Sequence, residues 1–85
     1  MEIRFTKHAL AKFSVLRRHG VRISRFEVIA TVRTPEVIDY RRLPLLIAQK
    51  SLDAQRVLRV VYKIERKVMI VIPFYPGRKS QYEKN

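Results

Sequence analysis

A chain of 85 residues has room for one domain with a single modest core, and a hydrophobic fraction of 47% excludes a disordered polymer. The absence of cysteine excludes a disulfide framework, a thiolate metal site and thiol redox chemistry, and two histidines with seven carboxylates make a structural metal an unpromising reading. Nineteen Lys and Arg against seven acids give a net charge of +12, a field that attracts polyanions, so nucleic acid or an acidic protein is the first partner to expect.

No apolar run approaches the roughly 18 residues of a membrane span, and MEIRFTKHAL lacks the apolar segment of a secretory signal. The expected location is the cytoplasm, with no membrane partner, no cofactor and no metal.

In chain order, Ile3 to Thr6 is a short extended lead ending in a helix N-cap. Ala9, Leu10, Phe13 and Leu16 then recur at three- and four-residue spacings, which predicts a helix over Lys7 to His19 closed by Gly20 as a left-handed cap. His8, Lys12, Val15 and His19 form a second, basic stripe beside the apolar one. Ser24 and Glu27 have the spacing of a capping box, with Ile23 and Val28 placed as a hydrophobic staple. The second helix must stop near Arg33 or Thr34, since Pro35 disfavours helical geometry before it.

Everything after the helices reads as strand: Glu36 to Arg42, then Leu45 to Leu52 beyond a Leu43-Pro44 turn, then a long hairpin over Arg56 to Tyr75. In the hairpin's first arm Leu58, Val60, Tyr62 and Ile64 alternate with Arg59 and Lys63, whereas the second arm, Val68 to Phe74, is apolar almost throughout. A loop of Glu65, Arg66 and Lys67 would pair Ile64 with Val68, Tyr62 with Ile70, Val60 with Ile72 and Leu58 with Phe74 on one buried face. Arg59, Lys63 and Tyr75 would share the other. A two-residue loop ranks second, because it sets Arg59 beside Phe74. Pro76 to Asn85 reads as a basic, partly mobile tail in which Pro76 and Gly77 turn the chain. The expected fold is one α+β domain over residues 1–85, two N-terminal helices packed on one face of an antiparallel meander of about four strands.

Two stretches, F-T-K-H-A-L-A-K-F (Phe5 to Phe13) and L-R-R-H-G-V-x-I-S (Leu16 to Ser24), resemble an uncharacterised prokaryotic family with a histidine on its first helix. The order of elements resembles the RelE/ParE/BrnT-like toxins, of the barnase/colicin/RelE-type fold. That resemblance implies metal-independent cleavage of RNA, including ribosome-bound RNA, by a toxin held inactive by an acidic antitoxin. In such chemistry the 2′-hydroxyl attacks the adjacent phosphate, and the enzyme supplies a base, an acid and cations.

Carried onto this chain, the resemblance implies catalytic roles for Arg59, Tyr75 and Arg78, with His8 matching the family histidine. Pro73 departs from the Ser or Thr expected before the final aromatics. Candidates for holding nucleic acid are Lys7, Lys12, Arg17, Arg18, Arg56, Lys63 and Lys79; the pair Arg41 and Arg42 suits phosphate or an acidic partner equally. Two rivals stay open: a non-catalytic nucleic-acid or partner-binding module on the same surface, and a toxin acting on a protein target. The enzymatic reading requires Arg59 and Tyr75 to meet on the side of the sheet turned away from the helices.

Overall fold

Local signals set the two long helices. In the computed structural model, which describes residues 1–82, α1 spans Lys7–Arg18 and α2 spans Arg25–Arg33. The Thr6 hydroxyl accepts the Ala9 N–H at 3.0 Å and donates to the Ile72 carbonyl at 3.1 Å, so the cap that starts α1 also ties it to the sheet. Gly20, at φ 79°, ends α1: its N–H reaches the Arg17 carbonyl while the Val21 N–H reaches that of Leu16, the two bonds of a Schellman motif. The capping box of α2 is complete, with Glu27 N–H donating to Ser24 Oγ at 3.1 Å and Ser24 N–H to Glu27 Oε1 at 2.9 Å.

Five strands follow the burial pattern into one sheet: β1 (Glu2–Phe5), β2 (Val37–Asp39), β3 (Leu46–Ser51), β4 (Arg56–Glu65) and β5 (Val68–Arg78). Their order is β1-β5-β4-β3-β2, and a short helix α3 (Lys79–Tyr82) follows β5. The domain is therefore α+β, and strands β2 to β5 form the expected antiparallel meander. Two features enlarge that expectation. The N-terminal lead is a fifth strand running parallel to β5, which makes the sheet mixed, and α3 adds a third helix.

Helices and sheet close on a core of Ala9, Ile23, Val28, Val32, Ala48, Leu58, Val60, Tyr62, Val71 and Phe74. Phe13 of α1 sits 4.5 Å from the fully buried Phe74, ring centroid to centroid, and 5.9 Å from Phe5. These tilted aromatic contacts anchor α1 across β1 and β5.

The register of the β4–β5 hairpin differs from the expected one, and for two physical reasons. The turn contains only Arg66 and Lys67, with Glu65 paired to Val68; the φ values of 50° and 66° are those a type I′ turn needs at its two central positions. Farther along, Tyr62 pairs with Val71 but Val60 pairs with Phe74, so Val61 faces both Ile72 and Pro73 across a β-bulge. Proline has no N–H to give the ladder, and a bulge accommodates that loss. The inward row on β5 is consequently Met69, Val71 and Phe74 instead of Val68, Ile70, Ile72 and Phe74; Ile64 keeps the inward side opposite Met69 but, one residue from the end of β4, is exposed rather than buried.

Two other expectations are corrected. The strand expected over Glu36 to Arg42 contracts to Val37–Asp39, because the Asp39 side chain accepts the Arg41 N–H at 3.0 Å and bends the chain away. Pro76 and Gly77 do not turn the chain; β5 runs through them to Arg78, held by pairing to β4, and α3 continues to Tyr82. Of the tail expected to be mobile, 83–85 lie outside the described residues.

Candidate functional site

Because β4 alternates, Arg59, set between the buried Leu58 and Val60, points away from α1 and α2. It is the one cation that this alternation carries to the centre of the free face, where it pairs across the ladder with Gln49 on one side and Tyr75 on the other. The bulge at Ile72–Pro73 is what makes the second pairing: the two-residue turn alone would set Arg59 opposite Phe74, and one extra residue on β5 moves Tyr75 into place and sends Phe74 into the core.

Arg59 is 6% exposed, and its guanidinium is enclosed by partners. Nε donates to Tyr75 Oη at 3.1 Å, one terminal nitrogen donates to Gln49 Oε1, and the other approaches Asp39 Oδ2 at 3.4 Å. The Tyr82 ring, brought back by α3, lies 4.2 Å from the guanidinium carbon, a cation–π stack. Three of the five guanidinium N–H groups are thus engaged. Two remain for a ligand.

Gly77 makes the Tyr82 placement sterically feasible. A Cβ at that position would sit 2.3 Å from the Tyr82 Cε2, so only a glycine leaves room for the ring. Sequence reasoning does not single out Tyr82, and it assigns Gly77 only to a turn. The signal available is the Gly after Tyr75-Pro76 together with a tyrosine five residues on, and without tertiary contacts it has no evident meaning.

Asp39 is the acidic member of the cluster. Arg41 grips it through Nε at 2.9 Å and a terminal nitrogen at 2.7 Å, a bidentate pair to which Arg59 adds a third cationic donor. These bonds, those from Arg41 foremost, hold the Asp39 carboxyl well below the usual carboxylate range. A carboxylate stabilised in this way is a weak base at neutral pH. Tyr75 accepts from Arg59, which leaves its own hydroxyl proton free to be donated.

The cluster forms one wall of an open cleft of about 760 Å³, lined by Val37, Asp39, Arg41, Gln49, Arg59, Gln81 and Tyr82. Two arginines against one carboxylate leave the cleft cationic. No residue here supplies a metal-ligand set, and among the described residues no group of three His, Asp or Glu side chains is arranged to hold a metal ion.

The remaining sequence candidates distribute over the whole surface. His8 is exposed on α1, a helix that packs on the opposite side of the sheet, so it does not join Arg59 and Tyr75. Lys7, Lys12, Arg17 and Arg18 share α1 with it, and Arg17 borders a separate small cleft with Arg22 and Glu27. Lys63 lies on the free face but pairs with Glu65 at 2.9 Å near the hairpin turn. Arg78 is offset by three residues from Tyr75 along β5 and points to the other side, beside Arg56 and Lys79. Of the four residues expected to act together, the structure unites Arg59 and Tyr75 and separates them from His8 and Arg78.

Comparison of the chain with protein-family models, with curated proteins and with solved structures returns no match in any of the three. Among the described residues no helix is long and apolar enough to cross a membrane.

Proposed function

We propose that the protein is an RNA-binding domain of RelE-like type that cleaves RNA without a metal, using the cleft on the free face of its sheet. The observation that carries this reading is the direct hydrogen bond from Arg59, which lines the cationic cleft, to Tyr75 beside it, on a chain of net charge +12. Arg59 steadies the phosphate through its two uncommitted N–H groups, and Tyr75, oriented by the same guanidinium, protonates the departing 5′-oxygen. His8 has no part in this version of the mechanism. The substrate's own 2′-hydroxyl is the nucleophile and gives its proton to solvent water as it attacks, while Tyr75 recovers from water the proton it lends to the 5′-oxygen, so a strand held in line is the main requirement. A small acidic antitoxin-like protein is the matching partner, since its charge complements the same surface.

The test uses a 5′-labelled single-stranded RNA and its 2′-deoxy counterpart, both in EDTA. The expected result is cleavage of the ribose strand only, with Tyr75→Phe lowering the rate about 10²–10⁴-fold while binding persists. Intact RNA after prolonged incubation, free and on ribosomes, would remove the enzyme.

One specific observation favours a second reading. Arg59 already has three hydrogen bonds and an aromatic lid from its own chain, an arrangement that suits a structural cation in a non-catalytic nucleic-acid-binding module. Under that reading the wild type and Tyr75→Phe bind RNA equally and neither shortens it.

A further inference from the structure

A second cationic cleft lies at the open end of the β4–β5 ladder, on the other side of the sheet from Arg59. It has a volume of about 560 Å³ and is lined by Ala54, Gln55, Arg56, Arg78, Lys79 and Ser80. Three of its six residues are cations and none is acidic. Arg56 and Arg78 are register partners, so two guanidinium side chains stand directly opposite each other across an antiparallel pair. Like charges in that position destabilise a ladder.

The surroundings fix this arrangement rather than relieve it. Asp53 accepts the Gln55 and Arg56 N–H groups at 2.9 and 2.7 Å and binds Arg56 Nε at 2.9 Å, which orients the Arg56 side chain. Those bonds, the one from the Gln55 backbone foremost, hold the Asp53 carboxyl below its ordinary range, so it stays ionised and keeps Arg56 in place. The Lys79 N–H donates to the Gln55 carbonyl at 2.9 Å, clamping the start of α3 to the β3–β4 turn and placing the third cation beside the pair. Among the described residues, Arg78 and Lys79 form no ion pair. A multiply charged anion between the arginines reverses the sign of their interaction, and guanidinium forks match the oxygens of a phosphate.

We propose that the Arg56–Arg78–Lys79 cleft is a phosphate-binding site separate from the Arg59 cleft. Arg78 and Arg56 grip the phosphate oxygens, Lys79 supplies a third positive charge, and Asp53 positions Arg56. Arg56 and Arg59 are three residue steps apart on β4, roughly 10 Å along the strand, and face opposite sides of the sheet. The identity of the phosphate carrier as RNA rests on the proposed RNA-binding function; the site itself does not. On that reading a single strand passes round the end of the sheet and presents phosphates to both clefts.

Thermal unfolding in phosphate-free, low-salt buffer tests the site with inorganic pyrophosphate as probe, ionic strength being matched with NaCl. The wild type is expected to show a rise in Tm that grows with the logarithm of free pyrophosphate above its Kd, about 5 °C or more at ten times the Kd. Arg78→Gln loses most of that rise, Arg78→Lys keeps part of it, and Arg33→Gln, which removes an exposed charge on α2, keeps all of it. No rise in the wild type, or an equal rise in Arg78→Gln and Arg33→Gln, overturns the proposal. A labelled single-stranded RNA separates the carriers: Arg78→Gln is expected to reduce the slope of log affinity against log salt by about 0.7 for each phosphate that the variant no longer neutralises. Failure of the wild type to bind RNA, with the pyrophosphate response intact, would end the RNA reading and leave the phosphate site standing.

Discussion

Gly77→Ala tests the packing around Arg59 through a contact that has one participant. The added methyl would lie 2.3 Å from Tyr82 Cε2 and 2.9 Å from Cδ2, and the Tyr82 ring supplies the three nearest heavy atoms that the methyl would meet. Backbone strain is not at issue, because Gly77 is an extended strand residue without positive φ. The substitution must therefore push the ring off the Arg59 guanidinium. Losing a partly desolvated cation–π contact costs about 1–2 kcal/mol. Replacing a strand glycine by alanine returns about 0.5–1 kcal/mol. The net effect in the wild type is a destabilisation of about 0.5–1 kcal/mol, a fall in Tm of a few degrees for a domain of this size. In a Tyr82→Ala background the clash has no target, and the same change should stabilise by about 0.5–1 kcal/mol. Urea unfolding of the four proteins in a double-mutant cycle measures this sign reversal, with an expected coupling of about 1–2 kcal/mol. If Gly77→Ala has the same effect in both backgrounds, Tyr82 does not cover Arg59 in solution.

Other consequences concern the same elements. Arg66 and Lys67 both hold positive φ, so the double substitution Arg66→Asn with Lys67→Gly should stabilise by about 1–2 kcal/mol; an unchanged urea midpoint would contradict the type I′ geometry. Arg59→Ala removes the donor that satisfies the buried Gln49 carbonyl and should cost about 2–3 kcal/mol, whereas removing an ordinary exposed cation costs under about 0.5 kcal/mol. Asp39 titrates lower when folded than when unfolded, so its contribution to stability is fully present above about pH 4 and declines as pH falls below that value. Asp39→Asn should accordingly flatten the acid limb of a plot of Tm against pH below about 4, and an acid limb as steep as the wild type's would count against the Arg41 and Arg59 bonds.

How much of this is legible in advance depends on the range of the signal. The Ser24–Glu27 box and the Gly20 cap act over a few residues, and they place α1 and α2 to within a residue at each end. Alternation in β4 likewise separates Arg59 from Leu58 and Val60. In β5 the same reasoning fails, because a strand apolar at nearly every position carries no phase and fits either register equally well. The turn gives little help: a two-residue hairpin is normally announced by Asn-Gly, and Arg66-Lys67 adopts that conformation without the residues that favour it. Arg59 and Tyr75 are expected on one face and are found there, although through a different register from the one expected.

From the sequence alone come the net charge of +12, the two helices with their caps, and the division of the later chain into strands. Tertiary structure decides three things that no local window contains. The pairing of β1 with β5 joins residues more than sixty positions apart. The bulge at Ile72–Pro73 adds one residue to one strand and so reverses which face every later side chain of β5 occupies. The return of α3 then lays Tyr82 over Arg59 through the space left by Gly77. A cap or a turn is settled by neighbours along the chain, whereas the company an arginine keeps in a sheet is settled by strand register, and register is a property of two strands together.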